Sequence, residues 1–265
     1  MSAQVAQRIG SGSTKVLVLH GWFGPSVYDG FFDDFDHARY EVAIVHNPGY
    51  GDARDAAPAA DMTDLAHQLL ATADGLGWDT FHVIGHSYGG AAGLRMASLA
   101  PDRVASLVGL APVMPTGFDA IAAANCGADE HTGPAFMAAY GKGPDAPDGP
   151  RMIAGALDSV LAADEAALAS LMENLYEAID EATYKQYFLV WTGCAFSDAV
   201  AGLGTRTVFL LGEADPFAAV NYVTPTQQAM APGAVTVRVL PGGHFLSVSG
   251  RAESAGAIQA FLADA

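Results

Sequence analysis

Gly85-His86-Ser87-Tyr88-Gly89-Gly90 is the stretch of sequence that decides the fold. It follows the apolar run 81–84 and precedes the helical pattern 91–99, so it predicts a strand, a tight turn and a helix, with a serine at the apex. A serine on so sharp a turn has a strained backbone, and a glycine two residues to either side removes the clash that a side chain would cause. We therefore predict that Ser87 is a nucleophile at the N-terminus of a helix, where free N–H groups favour negative charge.

Short apolar runs alternate with helical patterns on both sides of this turn. This alternation predicts right-handed crossovers and an α/β fold with a mostly parallel central sheet flanked by helices. Asp61 is the expected N-cap of the first helix. The predicted strands are 5–9, 16–19, 40–45, 80–84, 104–113, 207–211 and 235–240, and the predicted helices between and after them are 61–75, 91–100, 224–230 and 252–262.

The alternation stops at Pro112 and resumes near residue 200. No convincing strand pattern occurs between 114 and 197, where the expected helices are 153–162, 164–178 and 181–196. We therefore expect a core formed by 1–112 and 200–265, with a helical cap, 113–199, inserted in it.

The charge composition of the chain limits the kinds of molecule that the protein is expected to bind. The net charge is −17, from 12 Lys and Arg against 29 Asp and Glu, which disfavours binding to nucleic acid or to an anionic membrane surface. A small-molecule substrate is expected instead, and the protein is expected to be a monomer or a homodimer. The first fifteen residues lack a signal-peptide core and no window has the 18 apolar residues of a membrane helix, so the predicted location is cytoplasmic.

Neither the cysteines nor the histidines have the spacing of a metal site. Cys126 and Cys194 are far apart and outside any C-x-x-C pattern, so both are expected to be reduced, packed thiols. The eight histidines include no H-E-x-x-H pattern. We predict no metal and no cofactor. His20 is expected to hydrogen-bond within its own loop, and His86 is expected to pack.

A serine nucleophile needs a base, and the base needs an orienting carboxylate. His244 lies in Pro241-Gly-Gly-His-Phe, directly after a predicted strand, where open α/β sheets place their sites. Asp215 follows the preceding predicted strand in the same way, and Glu213 is its weaker rival. The predicted catalytic residues are therefore Ser87, Asp215 and His244, in an order that belongs to one particular fold.

An oxyanion hole requires two N–H donors directed at one point. Tyr88, immediately after the nucleophile, would supply one donor from its backbone. The loop His20-Gly-Trp-Phe-Gly24 follows a predicted strand, and the backbone N–H of Trp22 is the expected second donor.

At these positions the chain resembles the α/β-hydrolase superfamily, specifically its capped branch with a serine nucleophile. The resemblance rests on His20-Gly21, the serine turn, Pro101-Asp-Arg-Val104, Gly212-x-x-Asp215 and Gly243-His244. The chain departs from the family at His46-Asn-Pro-Gly-Tyr-Gly51, where D-x-P-G-x-G is usual. Relatives that open epoxides or displace halide carry aspartate at the turn, so the serine implies acyl transfer.

The predicted cap contains an aromatic stripe at helical spacing. We expect part of the stripe to line an apolar pocket, although it could equally dock the cap on the core. The predicted substrate-binding residues are Met114, Met137, Tyr184, Tyr187, Phe188, Trp191 and Phe245.

These features predict a serine hydrolase of a carboxylic ester or lactone with a small, largely apolar substrate. One alternative is hydrolytic C–C cleavage of a β-diketone or dienoate by the same triad, which a basic pocket residue would favour; Lys142, Arg151 and Lys185 are the candidates. A lyase, a perhydrolase, or a ligand-binding receptor with little turnover are further alternatives.

Overall fold

The computed structural model of the chain describes residues 3–117 and 149–264. Seven strands form one sheet in the order β1-β3-β2-β4-β5-β6-β7. The strands are β1 (Gln4–Gly10), β2 (Thr14–Leu19), β3 (Tyr40–His46), β4 (Phe81–His86), β5 (Val104–Leu110), β6 (Arg206–Gly212) and β7 (Val235–Leu240).

All neighbouring strands pair in parallel except β1, which pairs antiparallel with β3 at the edge. The central strands are buried along most of their length because helices cover both faces of the sheet, whereas the edge strand β7 is partly exposed. The predicted α/β-hydrolase architecture is confirmed.

Ten α-helices lie in the described ranges. Asp61 caps the first of them as predicted, since its side chain accepts the N–H groups of Thr63 and Asp64. They are α1 (Met62–Gly75), α2 (Tyr88–Leu99), α3 (Gly149–Leu157), α4 (Ser159–Ala162), α5 (Glu165–Ala178), α6 (Glu181–Thr192), α7 (Ser197–Val200), α8 (Val220–Ala229), α9 (Leu246–Ser249) and α10 (Arg251–Ala263).

Helices α3 to α7 form a helical insertion, residues 149–200, between β5 and β6. Side-chain hydrogen bonds join α6 to loops of the core, among them three of 3.0 Å or less. Trp22 Nε1–H donates to the Tyr184 carbonyl at 2.9 Å, Gln186 Nε2–H to the Ala59 carbonyl at 3.0 Å, and the Tyr187 hydroxyl to the Pro48 carbonyl at 2.9 Å. The helical insertion is thereby held over the carboxyl ends of the central strands. Cap boundaries at 113 and 199 remain a prediction.

Several elements differ from expectation at their ends. The helix predicted over 153–162 is broken at Asp158, whose side chain turns away from α3 and caps α4. The helix predicted over 181–196 ends at Thr192. Strand β5 stops at Leu110, because Ala111 has a positive φ of 43° and precedes Pro112. Helix α8 begins at Val220, earlier than its sequence pattern suggests.

Candidate active site

Ser87 lies at the turn between β4 and α2, with φ 53° and ψ −123°. A non-glycine residue rarely adopts such a backbone, and its neighbours make it possible. A Cβ on Gly85 would lie 2.3 Å from the Gly89 carbonyl oxygen, and one on Gly89 would lie 2.6 Å from the Leu19 carbonyl oxygen. Glycine at both positions therefore lets the turn close against β2, which leaves Ser87 half-buried at the carboxyl edge of the sheet.

His244 and Asp215 are paired at the same edge. The distance from His244 Nδ1 to Asp215 Oδ2 is 2.9 Å, and both side chains are buried. Asp215 Oδ1 also accepts the N–H of Phe217 at 2.8 Å, which fixes the carboxylate. A proton on Nδ1 leaves Nε2 as the basic nitrogen of a neutral imidazole. Glu213, the rival carboxylate, is exposed.

Ser87 and His244 line one small cavity, with an internal volume of about 20 Å³. That volume holds about one water molecule, so a larger ligand requires the surrounding side chains to move. The remaining lining is predominantly apolar and consists of Trp22, Phe23, His86, Val113, Leu157, Trp191 and Phe217.

The loop after β2 lies directly against the serine turn. A Cβ on Gly21 would approach the Cβ of Ser87 to 2.8 Å, so glycine is needed there as well. The backbone N–H groups of Trp22 and Tyr88 donate no hydrogen bond to another described residue. Neither amide is therefore committed to a partner among the described residues, and their role as oxyanion donors remains a prediction.

Two buried imidazoles support these loops. His20 Nδ1–H donates to the Gly21 carbonyl at 2.7 Å, as the sequence predicts, and Nε2 accepts the N–H of Asn47 at 3.1 Å. His86 Nε2–H donates to the His244 carbonyl at 2.9 Å. Burial lowers the pKa of each ring to about 3, so both are neutral and act as fixed hydrogen-bonding groups.

Of the predicted substrate-binding residues, Trp191 lines the cavity. Tyr184 and Phe188 do not line the cavity. They pack on Trp22, with ring centroids 4.1 and 5.3 Å from the centroid of the indole. Phe188 also packs on Trp191, with ring centroids 5.4 Å apart, so these two side chains support the residues that line the cavity.

Three others are buried without lining the cavity. Tyr187 stacks on Tyr88 at 5.4 Å and joins the helical insertion to the core. Met114 and Phe245 are fully buried and do not line the cavity. Met137 lies outside the described residues.

Sequence reasoning missed several cavity residues, namely Phe23, Val113, Leu157 and Phe217. Phe217 was within reach of the sequence, since it lies two residues after the predicted acid Asp215. Leu157 was not, because it comes from a helix whose end the sequence does not mark.

No lysine or arginine lines the cavity among the described residues. Arg151 is paired with Glu165 and Lys185 with Glu181, in ion pairs at the surface of the helical insertion. Lys142, the third candidate, lies outside the described residues.

Within 3–117 and 149–264, no three His, Cys, Asp or Glu side chains are grouped so that they could bind a metal ion. No helix in these ranges has the length and apolar composition needed to span a bilayer. Cys194 is a free thiol whose pKa is raised to about 12 by burial, and Cys126 lies outside the described residues.

The chain is similar in sequence to known proteins over part or most of its length. A sequence profile of the alpha/beta hydrolase fold matches residues 15–250. The chain is 37% identical over 102 residues to the dihydrolipoyllysine-residue acetyltransferase component of the acetoin cleaving system of Pseudomonas putida, covering 37% of this chain and 26% of that protein. It is 34% identical over 104 residues to a 2-hydroxy-6-oxononadienedioate/2-hydroxy-6-oxononatrienedioate hydrolase of Paraburkholderia phymatum, covering 37% of this chain and 36% of that protein. The alignments thus span about a quarter to a third of these relatives.

The fold is also that of solved structures. An enol-lactonase from Burkholderia xenovorans superposes with a TM-score of 0.76 at 14% identity, covering 98% of this chain and 96% of that one. At this identity the likeness shows the fold alone.

Proposed function

Since the chain belongs to the α/β hydrolase fold family, we propose that it is a serine hydrolase that cleaves a carboxylic ester or lactone. Hydrolase chemistry is supported by the family and by relatives named as hydrolases. The observation that carries the proposal is the shared cavity: Ser87 and His244 both line it, while Asp215 accepts a hydrogen bond from Nδ1 of the His244 imidazole.

In the first half of the reaction, Ser87 Oγ attacks the carbonyl carbon and His244 Nε2 takes the hydroxyl proton. Asp215 holds the proton on Nδ1 and stabilises the imidazolium. The carbonyl oxygen becomes an oxyanion, which the N–H groups of Trp22 and Tyr88 bind. The C–O bond then breaks, and His244 returns the proton to the leaving alkoxide.

In the second half, water attacks the acyl-enzyme on Ser87. His244 accepts one proton of the water and passes it to Ser87 Oγ as the C–O bond to the serine breaks. The carboxylic acid leaves and the enzyme is restored. A lactone follows the same course, except that the alcohol and the acid remain parts of one product.

The cavity lining supports a small, largely apolar substrate. Its walls are aromatic and aliphatic side chains, and the described lining contains no cationic side chain. The dienedioate in the name of the Paraburkholderia relative carries two carboxylates, which a cationic pocket residue would bind. The described cavity therefore favours ester or lactone cleavage over hydrolysis of a dienoate C–C bond.

We further propose that 113–199 act as a cap over a core formed by 1–112 and 200–265. Trp191, on α6, and Leu157, at the end of α3, face Ser87 across the cavity. The helical insertion then selects the substrate, while the core performs the chemistry.

The test is hydrolysis of p-nitrophenyl esters of graded chain length, together with lactones and a dienoate C–C substrate. Ser87→Ala should lower kcat by about 10⁴- to 10⁶-fold while leaving the circular dichroism spectrum unchanged. Ser98→Ala, on the helix that follows the turn, is the matched control and should retain wild-type activity. Near-normal ester cleavage by Ser87→Ala contradicts the mechanism.

A fluorophosphonate probe separates an enzyme from a ligand-binding receptor of the same fold. We expect one covalent adduct, located on Ser87 by peptide mass spectrometry and absent from Ser87→Ala. An unlabelled wild-type protein would instead favour the receptor. Faster turnover of the dienoate than of every ester and lactone would favour C–C cleavage.

A further inference from the structure

Asp158 is a carboxylate in an unusual place, at the break between α3 and α4, with no exposed surface. The described residues contain two other buried carboxylates. Glu41 is paired with Arg8 and Lys15, and Asp215 is paired with His244. Asp158 has no cationic partner among the described residues. Because a buried carboxylate is costly unless hydrogen bonds replace its hydration, its donors show what holds it there.

Three donors surround Asp158. Its Oδ1 accepts the N–H of Leu161 at 2.8 Å, the ordinary contact of a helix N-cap. Its Oδ2 accepts the N–H of Phe245 at 2.8 Å and the hydroxyl proton of Ser249 at 2.7 Å. One oxygen thus serves the helical insertion, and the other serves the loop that carries His244.

The contacts of Asp158 flank His244 on both sides in sequence. Phe245 is bound directly, and Gly243 is bound through Ser249, whose Oγ accepts the Gly243 N–H at 2.9 Å. The fit is close, since a Cβ on Gly243 would lie 2.2 Å from the Asp158 Cγ.

His244 itself has one backbone contact with the helical insertion and one with the core. Its N–H donates to the Leu157 carbonyl at 3.3 Å, and its carbonyl accepts from His86 at 2.9 Å. The helical insertion therefore contacts the loop at two consecutive residues, Leu157 and Asp158.

We propose that Asp158 is a positioning residue for His244. By binding Phe245 directly and Gly243 through Ser249, it couples the placement of the helical insertion to the orientation of the imidazole toward Ser87. This inference rests on the proposed role of His244 as base. Asp158 does not line the cavity, so it acts on the base and not on the substrate.

Ordinary helix capping does not account for this arrangement. Asp164 and Asp180 cap α5 and α6 through the same contact to the third residue after them, and both are exposed. Capping alone therefore requires neither burial nor a second pair of donors.

The decisive variant is Asp158→Ser, because serine is as good an N-cap as aspartate but has only one, shorter-reaching oxygen. It should keep the contact with Leu161 and lose those with Phe245 and Ser249. We expect kcat for an ester to fall by about 10- to 100-fold with KM within about 2-fold, since a misplaced catalytic group slows the chemical step. Fluorophosphonate labelling of Ser87 should slow by the same factor. Asp158→Asn, which can still direct an oxygen at Phe245, should recover most of the activity.

Asp164→Ser is the matched control. It makes the same change at an N-cap that touches only its own helix, and we expect kcat within about 2-fold of wild type. Equal losses in the two variants, or wild-type kcat and labelling in Asp158→Ser, overturn the proposal.

A readout independent of turnover comes from the Nδ1–H proton of His244 in ¹⁵N-histidine-labelled protein. Asp158→Ser should shift this resonance and speed its exchange with water, whereas Asp164→Ser should not. An unchanged resonance refutes the positioning role whatever the activity of the wild type. A shifted resonance in a protein that cleaves no ester leaves the positioning role intact and contradicts the proposed function.

Should Asp158→Ser fail to fold, Ser249→Ala decides the question. It removes one donor to Asp158 and the acceptor of the Gly243 N–H, while leaving the α4 cap in place. We expect a fall in kcat of about 3- to 10-fold with the same spectroscopic shift. Wild-type kcat with an unshifted resonance counts against the proposal.

Discussion

The serine turn and the histidine loop are held in different ways. The Ser87 N–H donates to the Leu110 carbonyl, and its own carbonyl accepts from Gly90 and Val113, all within the strand and helix ends of the core. His244 is held from the core by His86 and from the helical insertion by Leu157 and Asp158. The backbone of the proposed nucleophile is therefore held without the helices of the insertion, whereas the loop of the proposed base is held partly by the core and partly by the helical insertion.

Among the tests of this comparison, the largest expected effect comes from Asp215, the proposed partner of His244. Asp215→Asn should lower kcat by about 10⁴-fold, because an amide facing Nδ1 stabilises the wrong imidazole tautomer. That factor corresponds to about 5.5 kcal/mol of transition-state stabilisation. Ester hydrolysis measures it, with Glu213→Gln, two residues away and exposed, as the control. Comparable losses in the two variants would mean that Asp215 is not the acid.

The next effect is a loss of folding stability at acidic pH, which arises from buried histidines of the core. Burial lowers the pKa of His20 and of His86 from 6.5 to about 3. Below pH 6.5 the unfolded chain binds protons that the folded protein does not, so the free energy of unfolding decreases as the pH falls. Each histidine contributes up to about 1.4 kcal/mol per pH unit. All described histidines belong to the core, so the helical insertion adds nothing to this loss.

Urea unfolding at a series of pH values between about 7.5 and 5 measures this slope. His86→Gln keeps a donor toward the His244 carbonyl but does not titrate, so it should lose part of the slope. The rest comes from His20, His46 and His82, whose pKa values burial also lowers. His67→Gln, at an exposed position of α1, should leave the slope unchanged. A wild-type slope in His86→Gln would show that His86 is protonated in the folded protein.

The smallest expected effect is a change in substrate selectivity at Trp191, a cavity residue that belongs to the helical insertion. Trp191→Ala enlarges the cavity, and the ratio of kcat/KM for longer over shorter acyl chains should rise by about 10-fold. Leu189→Ala, on the exposed face of the same helix, should leave the ratio unchanged. If Trp191→Ala and Leu189→Ala show the same chain-length preference, the acyl group does not bind beside Trp191.

The core was predictable because its signals are local. Runs of aliphatic and β-branched residues specified every strand of the sheet, and β7 matches its predicted range of 235–240. The glycines on either side of Ser87 were informative because a side chain at Gly85 would clash with the Gly89 carbonyl, and one at Gly89 with the Leu19 carbonyl. Asp215 and His244 were found because parallel strands bring their carboxyl ends to one edge.

The helical insertion was predictable only as helices. Its aromatic stripe, formed by Tyr184, Tyr187, Phe188 and Trp191, pointed to a pocket. Of these four residues only Trp191 lines the cavity, while Tyr187 docks the helix on Pro48 and Tyr88. Helical periodicity shows which residues share a face, and it does not show what that face contacts. The roles of the oxyanion donors and of the triad remain predictions that the proposed experiments test.

The sequence by itself determined the sheet, the turn at Ser87 and the chain order of the proposed triad, because each depends on backbone sterics and strand periodicity within a few residues. Only the tertiary structure decided which side chains enclose Ser87, and only it showed that Asp158 binds Phe245 directly and Gly243 through Ser249. The physical reason is distance along the chain. Asp158 and Phe245 are 87 positions apart, and a buried carboxylate acquires its donors only when the helical insertion packs against the core.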